Sequence, residues 1–148
     1  MQNFKALFPL LLLFFSFSTL AQKMEIKLDH YAILVQDLDK SCDFYQKIIG
    51  LKEIEDQTKK DHIRWFSMGK KAELHIIESK EYKIPDEKGV HLALRTANLD
   101  AFIEHLRANK IPFQNWYGED NTTNDRPDGI RQVYLTDLDG YWIEINGK

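Results

Sequence analysis

The chain has 148 residues, 43% hydrophobic and 29% charged, which suits one compact domain or two very small ones. Lys and Arg number 20 against 23 Asp and Glu, a net charge of −3, so no basic excess points to nucleic acid. A single cysteine, Cys42, excludes an intrachain disulfide framework and a cysteine-based zinc cluster, and leaves metal chemistry to His, Asp and Glu.

Residues 1–21 have the layout of a secretory signal peptide. Lys5 precedes an apolar run from Ala6 to Phe17, and small residues end the segment at Thr19-Leu20-Ala21. Cleavage is expected after Ala21, giving an exported protein, periplasmic or secreted. The alternative is an uncleaved anchor. Against it, the run is short of the ~20 residues a membrane span needs, and Pro9 interrupts it.

Residues 22–148 contain a repeat. His30–Asp39 aligns without gaps on His91–Asp100, at a spacing of 61 residues, with His, Ala, Leu and Asp coinciding. Each copy reads as a short apolar strand, a polar corner and a helix. The helices are expected at about Leu38–Ile49 and Leu99–Asn109, from the spacing of Phe44, Tyr45, Ile48 and Ile49 and of Phe102, Ile103 and Leu106. Asp39 and Asp100 fall in the first turns, where carboxylates meet the positive end of the helix dipole, and Gly50 is placed to close the first helix.

Three strand-like runs follow each helix. They are Leu51–Gln57, His62–Met68 and Ala72–Glu78, then Ile111–Trp116, Ile130–Thr136 and Tyr141–Ile145. Each half therefore reads β-α-β-β-β: module one at about 27–79, a linker at 80–88, and module two at about 89–148. The polar stretch Gly118–Gly129 is either a binding loop or a solvated excursion. The fold class expected is α+β, two pseudo-symmetric modules around an open cleft.

His30 and His91 are equivalent first-strand residues, and His75 and Glu144 occupy similar middle positions on the last strands of the two modules. Alternation sends Glu144 to one face and its neighbours Ile143 and Ile145 to the other. A lone carboxylate facing a core is costly, and a cation offsets that cost. Three imidazoles and a carboxylate suit a divalent ion such as Zn, Fe, Mn, Ni or Co. Arg95 shares a strand face with His91, Arg64 lies on a strand with His62 and Phe66, and Trp142 shares the face of Glu144. These are candidates for binding an anionic substrate or walling its pocket, although alternation does not say which face lines the cleft.

The chain resembles the vicinal oxygen chelate superfamily, which includes glyoxalase I, fosfomycin-resistance proteins, extradiol dioxygenases and bleomycin-binding proteins. The resemblance rests on Asp29-His30 to Val35, Asp37-Leu38-Asp39, Phe44-Tyr45 with Ile49-Gly50-Leu51, Leu74-His75-Ile76, His91-Leu92-Ala93-Leu94, and Val133-Tyr134-Leu135 followed by Asp137 to Glu144. It implies paired βαβββ modules forming an open barrel-like cleft, a central metal and frequent dimerisation. His30, His91 and Glu144 match the family's three-ligand pattern, and His75 falls where glyoxalase I has Glu or Gln. Tyr134 matches a pocket tyrosine and joins Glu144 as a catalytic candidate. Leu34 stands where bacterial glyoxalase I has an arginine for glutathione, which argues against that thiol substrate. The implied function is a metal-dependent lyase or isomerase that acts on a small vicinally oxygenated substrate through a metal-stabilised enediolate. The alternatives are a metal-free binding or resistance protein and an Fe(II) extradiol-type dioxygenase.

Overall fold

A computed structural model describes residues 26–84 and 86–147. The expected export signal, residues 1–21, lies outside the described residues. Among the described residues, no helix is long and apolar enough to cross a membrane.

Module one runs β1 (His30–Val35), α1 (Leu38–Lys47), β2 (Lys52–Ile54), β3 (Ile63–Ser67) and β4 (Glu73–Glu78). Module two runs β5 (His91–Arg95), α2 (Leu99–Ala108), β6 (Asn124–Asp125), β7 (Arg131–Thr136) and β8 (Trp142–Gly147). The sheets have the same topology, β1-β4-β3-β2 and β5-β8-β7-β6, with the first strand of each parallel to the last. The repeat in the sequence is thus a repeat in space. The two sheets are not closed into a barrel.

Local chemistry sets both helices. Asp37 and Asn98 are the N-caps, their side chains accepting from Lys40 N and Ala101 N and satisfying donors that have no intrahelical partner. Gly50, at φ +82, turns the chain out of α1 so that Leu51 N donates to Tyr45 O.

One expected strand is absent. Ile111–Trp116 makes only isolated bridges, Gln114 with Tyr134 and with Asp120. Pro112 has no N–H to donate, Trp116 N donates to the Asn124 side chain, and Asn115 and Glu119 bond to each other through side chain and backbone. Those bonds satisfy the backbone locally and draw it away from a ladder. The outermost strand is instead β6, from within the stretch read as a loop, and it pairs Asn124 with Gln132.

Each sheet buries one face under a helix. In module one, Ile33, Val35, Phe66, Leu74 and Ile76 pack with Leu38, Cys42, Phe44 and Tyr45. In module two, Val133, Leu135, Ile143 and Ile145 pack with Leu99, Ile103, Leu106 and Phe113. Burial pushes the Cys42 thiol up to about 11, which fits a packing residue and not a nucleophile. β8 ends hard against α2: a Cβ on Gly147 would lie 2.8 Å from Leu99 Cβ and 3.1 Å from Thr96 Cγ2. Gly147→Ala is therefore expected to destabilise the fold by about 1–3 kcal/mol, read by denaturant unfolding.

The modules join through the β7–β8 turn. Tyr45 OH donates to Asp137 Oδ2 (2.8 Å), and Asp139 accepts from Gln36 N (2.9 Å), Ser41 Oγ (2.9 Å) and Tyr82 OH (2.6 Å). Leu34 N donates to Tyr141 OH, and His105 Nε2 donates to Lys47 O at the end of α1. The sheet faces opposite the helices carry the candidate ligands.

Candidate metal and substrate centre

In module one the open face carries His30 from β1 and His75 from β4. The register sets Trp65 beside His75, and the rings form a column. Trp65 and His75 stack with centroids 4.0 Å apart, and His75 and His30 with centroids 4.3 Å apart. His30 Nδ1 bonds to Asp29 (2.8 Å) and His75 Nε2 to Glu73 (3.0 Å).

In module two the face opposite α2 carries His91 from β5 and Glu144 from β8. Glu144 is 5% exposed, and His91 Nε2 lies 3.2 Å from its Oε2. His91 Nδ1 is 2.7 Å from Lys88 O, which can only accept, so Nδ1 carries a proton. Tyr134 OH donates to Glu144 Oε2, and Asn146 Nδ2 donates to Oε1. Behind them runs a line of amides: Trp116 N donates to Asn124 Oδ1, Asn124 Nδ2 to Gln132 Oε1 and Gln132 Nε2 to Tyr134 OH. Burial, followed by the Glu144 hydrogen bond and charge, pushes the Tyr134 phenol well above its usual range. Tyr134 therefore keeps its proton and holds the carboxylate in place.

A hollow of about 520 Å³ opens beside this pair, lined by His91, Trp116, Tyr117, Arg126, Tyr134 and Glu144 among others. Trp116 and Tyr117 are exposed on its rim. Lys88 ties the linker to the rim by donating to Asn115 O and Trp116 O, with its Nζ 4.9 Å from the centre of the Trp142 ring. Desolvation lowers the pKa of that amine.

Four ligands meeting in one chain is not what the structure shows. It gathers the proposed residues two and two, His30 with His75 on one sheet and His91 with Glu144 on the other. Among the described residues, no group of three or more His, Cys, Asp or Glu side chains is placed to hold a metal ion. Convergence of all four needs the open faces of two sheets to meet, and within one chain they are not closed on each other.

The expected substrate-binding residues also separate. Arg64 lies on the helix side of β3, opposite to Trp65, and pairs with Asp39 (3.1 Å) and Glu53 (3.7 Å), away from both ligand pairs. Arg95 lines a different cavity, between the modules. Trp142 sits across from His91 in the ladder and lines a small recess of about 150 Å³ with Tyr134 and Gln114.

Sequence reasoning missed Gln132, Asn146, Asn124 and Lys88. A signal existed for two of them. Gln132 and Tyr134, like Glu144 and Asn146, are polar residues two apart that alternate with the apolar Val133, Leu135, Ile143 and Ile145, the mark of a strand whose second face is not apolar core.

The description "Glyoxalase/Bleomycin resistance protein/Dioxygenase superfamily" matches residues 27–145. The chain belongs to that superfamily. Among relatives of this glyoxalase-superfamily protein, the uncharacterized protein YwbC of Bacillus subtilis (strain 168) is 31% identical over 128 residues, covering 82% of this chain and 98% of that one. A 2-epi-5-epi-valiolone epimerase of Actinomyces sp. is 28% identical over 145 residues, covering 81% of this chain and 78% of that one. The crystal structure of lactoylglutathione lyase from Agrobacterium tumefaciens superposes with a TM-score of 0.63 at 19% identity, covering 84% of this chain and 96% of that one. That last likeness shows the shared fold.

Proposed function

We propose that this superfamily member is an exported, divalent-metal-dependent lyase or isomerase acting on a small substrate with adjacent oxygens. The single observation that carries the reading is the His91–Glu144 pair. With Nδ1 committed to Lys88 O, Nε2 is the His91 nitrogen that faces the Glu144 carboxylate, across 3.2 Å. An imidazole nitrogen and a carboxylate oxygen set side by side at that distance are a fitting donor set for a first-row divalent ion. His91 and Glu144 would hold the ion, which when bound polarises two neighbouring substrate oxygens and acidifies the C–H beside them.

The rest of the work falls to the chain's own groups. Glu144 takes the substrate proton and returns it to the adjacent carbon, as general base and then acid. Tyr134 and Asn146 fix both carboxylate oxygens, so the base needs no reorientation during reaction. Trp116 and Tyr117, exposed on the rim of the hollow, would flank a substrate bound there. His30 and His75, on the open face of module one, are the second half of the ligand set, and a second copy of the chain laid face to face would bring them to His91 and Glu144. Homodimerisation is part of the proposal. Export rests on the signal pattern of residues 1–21, and mass spectrometry of the mature N-terminus tests it.

The deciding experiment follows exchange of the C–H hydrogens of dihydroxyacetone, a simple hydroxycarbonyl, in deuterated water. Metal-loaded protein is expected to accelerate exchange and Glu144→Gln to abolish it. Purified protein with no affinity for Zn, Mn, Ni or Co and no exchange activity would overturn the reading. Tyr134→Phe removes one of the two donors holding the carboxylate and is expected to weaken metal binding about tenfold, read by titration with cobalt.

A further inference from the structure

Tyr134 has one hydroxyl proton and two polar neighbours. Its oxygen lies 2.6 Å from Gln132 Nε2 and also meets Glu144 Oε2. Which neighbour receives the proton is decided away from the carboxylate, at a backbone amide of the rim. The N–H of Trp116 can only donate, and it lies 2.8 Å from Asn124 Oδ1. With its oxygen so engaged, Asn124 turns its amide nitrogen to Gln132 Oε1 (3.0 Å). Gln132 then has only N–H to offer Tyr134, so the hydroxyl proton goes to Glu144. One backbone donor thus fixes the direction of every bond up to the carboxylate.

The chain of bonds also has a charged head. The Asn115 carbonyl belongs to the same peptide unit as the Trp116 N–H, and Lys88 Nζ donates to it (3.1 Å). Dipoles therefore align head to tail from an ammonium to a carboxylate, through one peptide, two side-chain amides and a phenol. Aligned hydrogen bonds polarise one another in a low-dielectric surrounding. Asn115, Gln132, Tyr134 and Glu144 are all buried. The two ends lie on the linker and on β8, and the groups between them come from the rim, β6 and β7.

We propose that Asn124 and Gln132 are positioning residues for Glu144: they carry the polarity of the Trp116 N–H to Tyr134 and aim its hydroxyl proton at the carboxylate. A polar patch that merely satisfied itself would need the bonds but not their direction, and direction can be reversed at constant size. Asn124→Asp does so. The new side chain still accepts from Trp116 N, but it has no N–H for Gln132. Gln132 must then turn its nitrogen to the new carboxylate and present Oε1 to Tyr134. One hydroxyl proton would face two acceptors, and Glu144 would lose its sole claim on it.

Proton NMR on the whole chain, stripped of metal with chelator, reads the direction. A hydroxyl that donates to a carboxylate out of water resonates far downfield, and the Tyr134 signal is the one missing from Tyr134→Phe. It is expected far downfield in the wild type and in Asn121→Asp, the same charge change at an exposed residue outside the chain of bonds. In Asn124→Asp it is expected to move upfield. No such signal in the wild type, or no shift in Asn124→Asp, overturns the proposal. The effect on the site rests on the metal-binding reading and is measured by cobalt titration. Asn124→Asp is expected to weaken cobalt about tenfold, as Tyr134→Phe does, and to add nothing in the double variant. The sign discriminates, because an added negative charge by itself tightens the hold on a cation. Cobalt affinity in Asn124→Asp equal to or above that of the wild type overturns the positioning role. A wild type that binds no cobalt sinks the metal reading and leaves the hydroxyl signal to decide this one.

Discussion

His91→Ala lowers the affinity of the purified protein for a divalent ion by more than about a hundredfold. That is the expected outcome of a cobalt titration followed by absorbance, and Glu144→Gln gives a loss of the same order. Two features make the effect large. Lys88 O fixes the His91 tautomer and ring orientation before any ion arrives, so Nε2 is already aimed. Glu144 is buried and held at both oxygens, so its negative charge has few ways to relax other than a cation. The variants should keep the fold, since His91 and Glu144 lie on the face of their sheet opposite to the one on which the apolar core packs. Unchanged circular dichroism with lost metal binding is the combination that supports the site. If both variants bind metal as the wild type does, the pair is an ordinary ion pair between imidazolium and carboxylate.

Asp137→Ala is expected to destabilise the protein by about 3 kcal/mol in denaturant unfolding. Asp137 is 7% exposed and accepts from Asp139 N (3.0 Å), Tyr141 N (2.8 Å) and Tyr45 OH (2.8 Å). Alanine leaves these donors without their acceptor at the point where the β7–β8 turn of module two clasps α1 of module one, at about 1 kcal/mol for each lost bond. Asp137→Asn keeps an acceptor for the two backbone donors and is expected to stay within about 1 kcal/mol of the wild type at neutral pH. The pH dependence distinguishes them further. Burial, the largest influence, raises the Asp137 pKa despite the hydrogen bonds that lower it. A carboxyl whose folded value is raised adds stability that is fully present below its unfolded value, about 3.9, and is lost as pH rises through the folded value. The wild type should therefore lose this contribution on going upward from about pH 4, and Asp137→Asn should not. Unfolding midpoints measured across that range in both proteins check the sign.

The duplicated plan was legible from residues alone. His30–Asp39 and His91–Asp100 carry the same strand, corner and helix, because alternation, caps and helical spacing act over a few neighbours. Both helices begin where Asp37 and Asn98 place them. The strands at His62–Met68, Ala72–Glu78 and Ile130–Thr136 fall close to the observed ones. The strand expected at Ile111–Trp116 failed because apolar spacing says nothing of where backbone donors go, and here the Asn115 and Asn124 side chains take part in satisfying them.

The sequence by itself determined the chemistry on offer: three imidazoles and a carboxylate at repeated strand positions, and two modules of one topology. Tertiary structure alone decided how those groups are distributed. Alternation sets which residues share a face, but only the packing of α1 and α2 chose which face of each sheet is covered. That choice turned Arg64 toward Asp39 and left Trp65, His75 and His30 stacked on the opposite face. The docking of the modules through Asp137 and Asp139, contacts about a hundred residues apart in the chain, kept the two ligand pairs on separate sheets and formed the cavity beside Arg95. Contacts at such separation depend on the summed shape of both modules, which no local pattern of residues encodes.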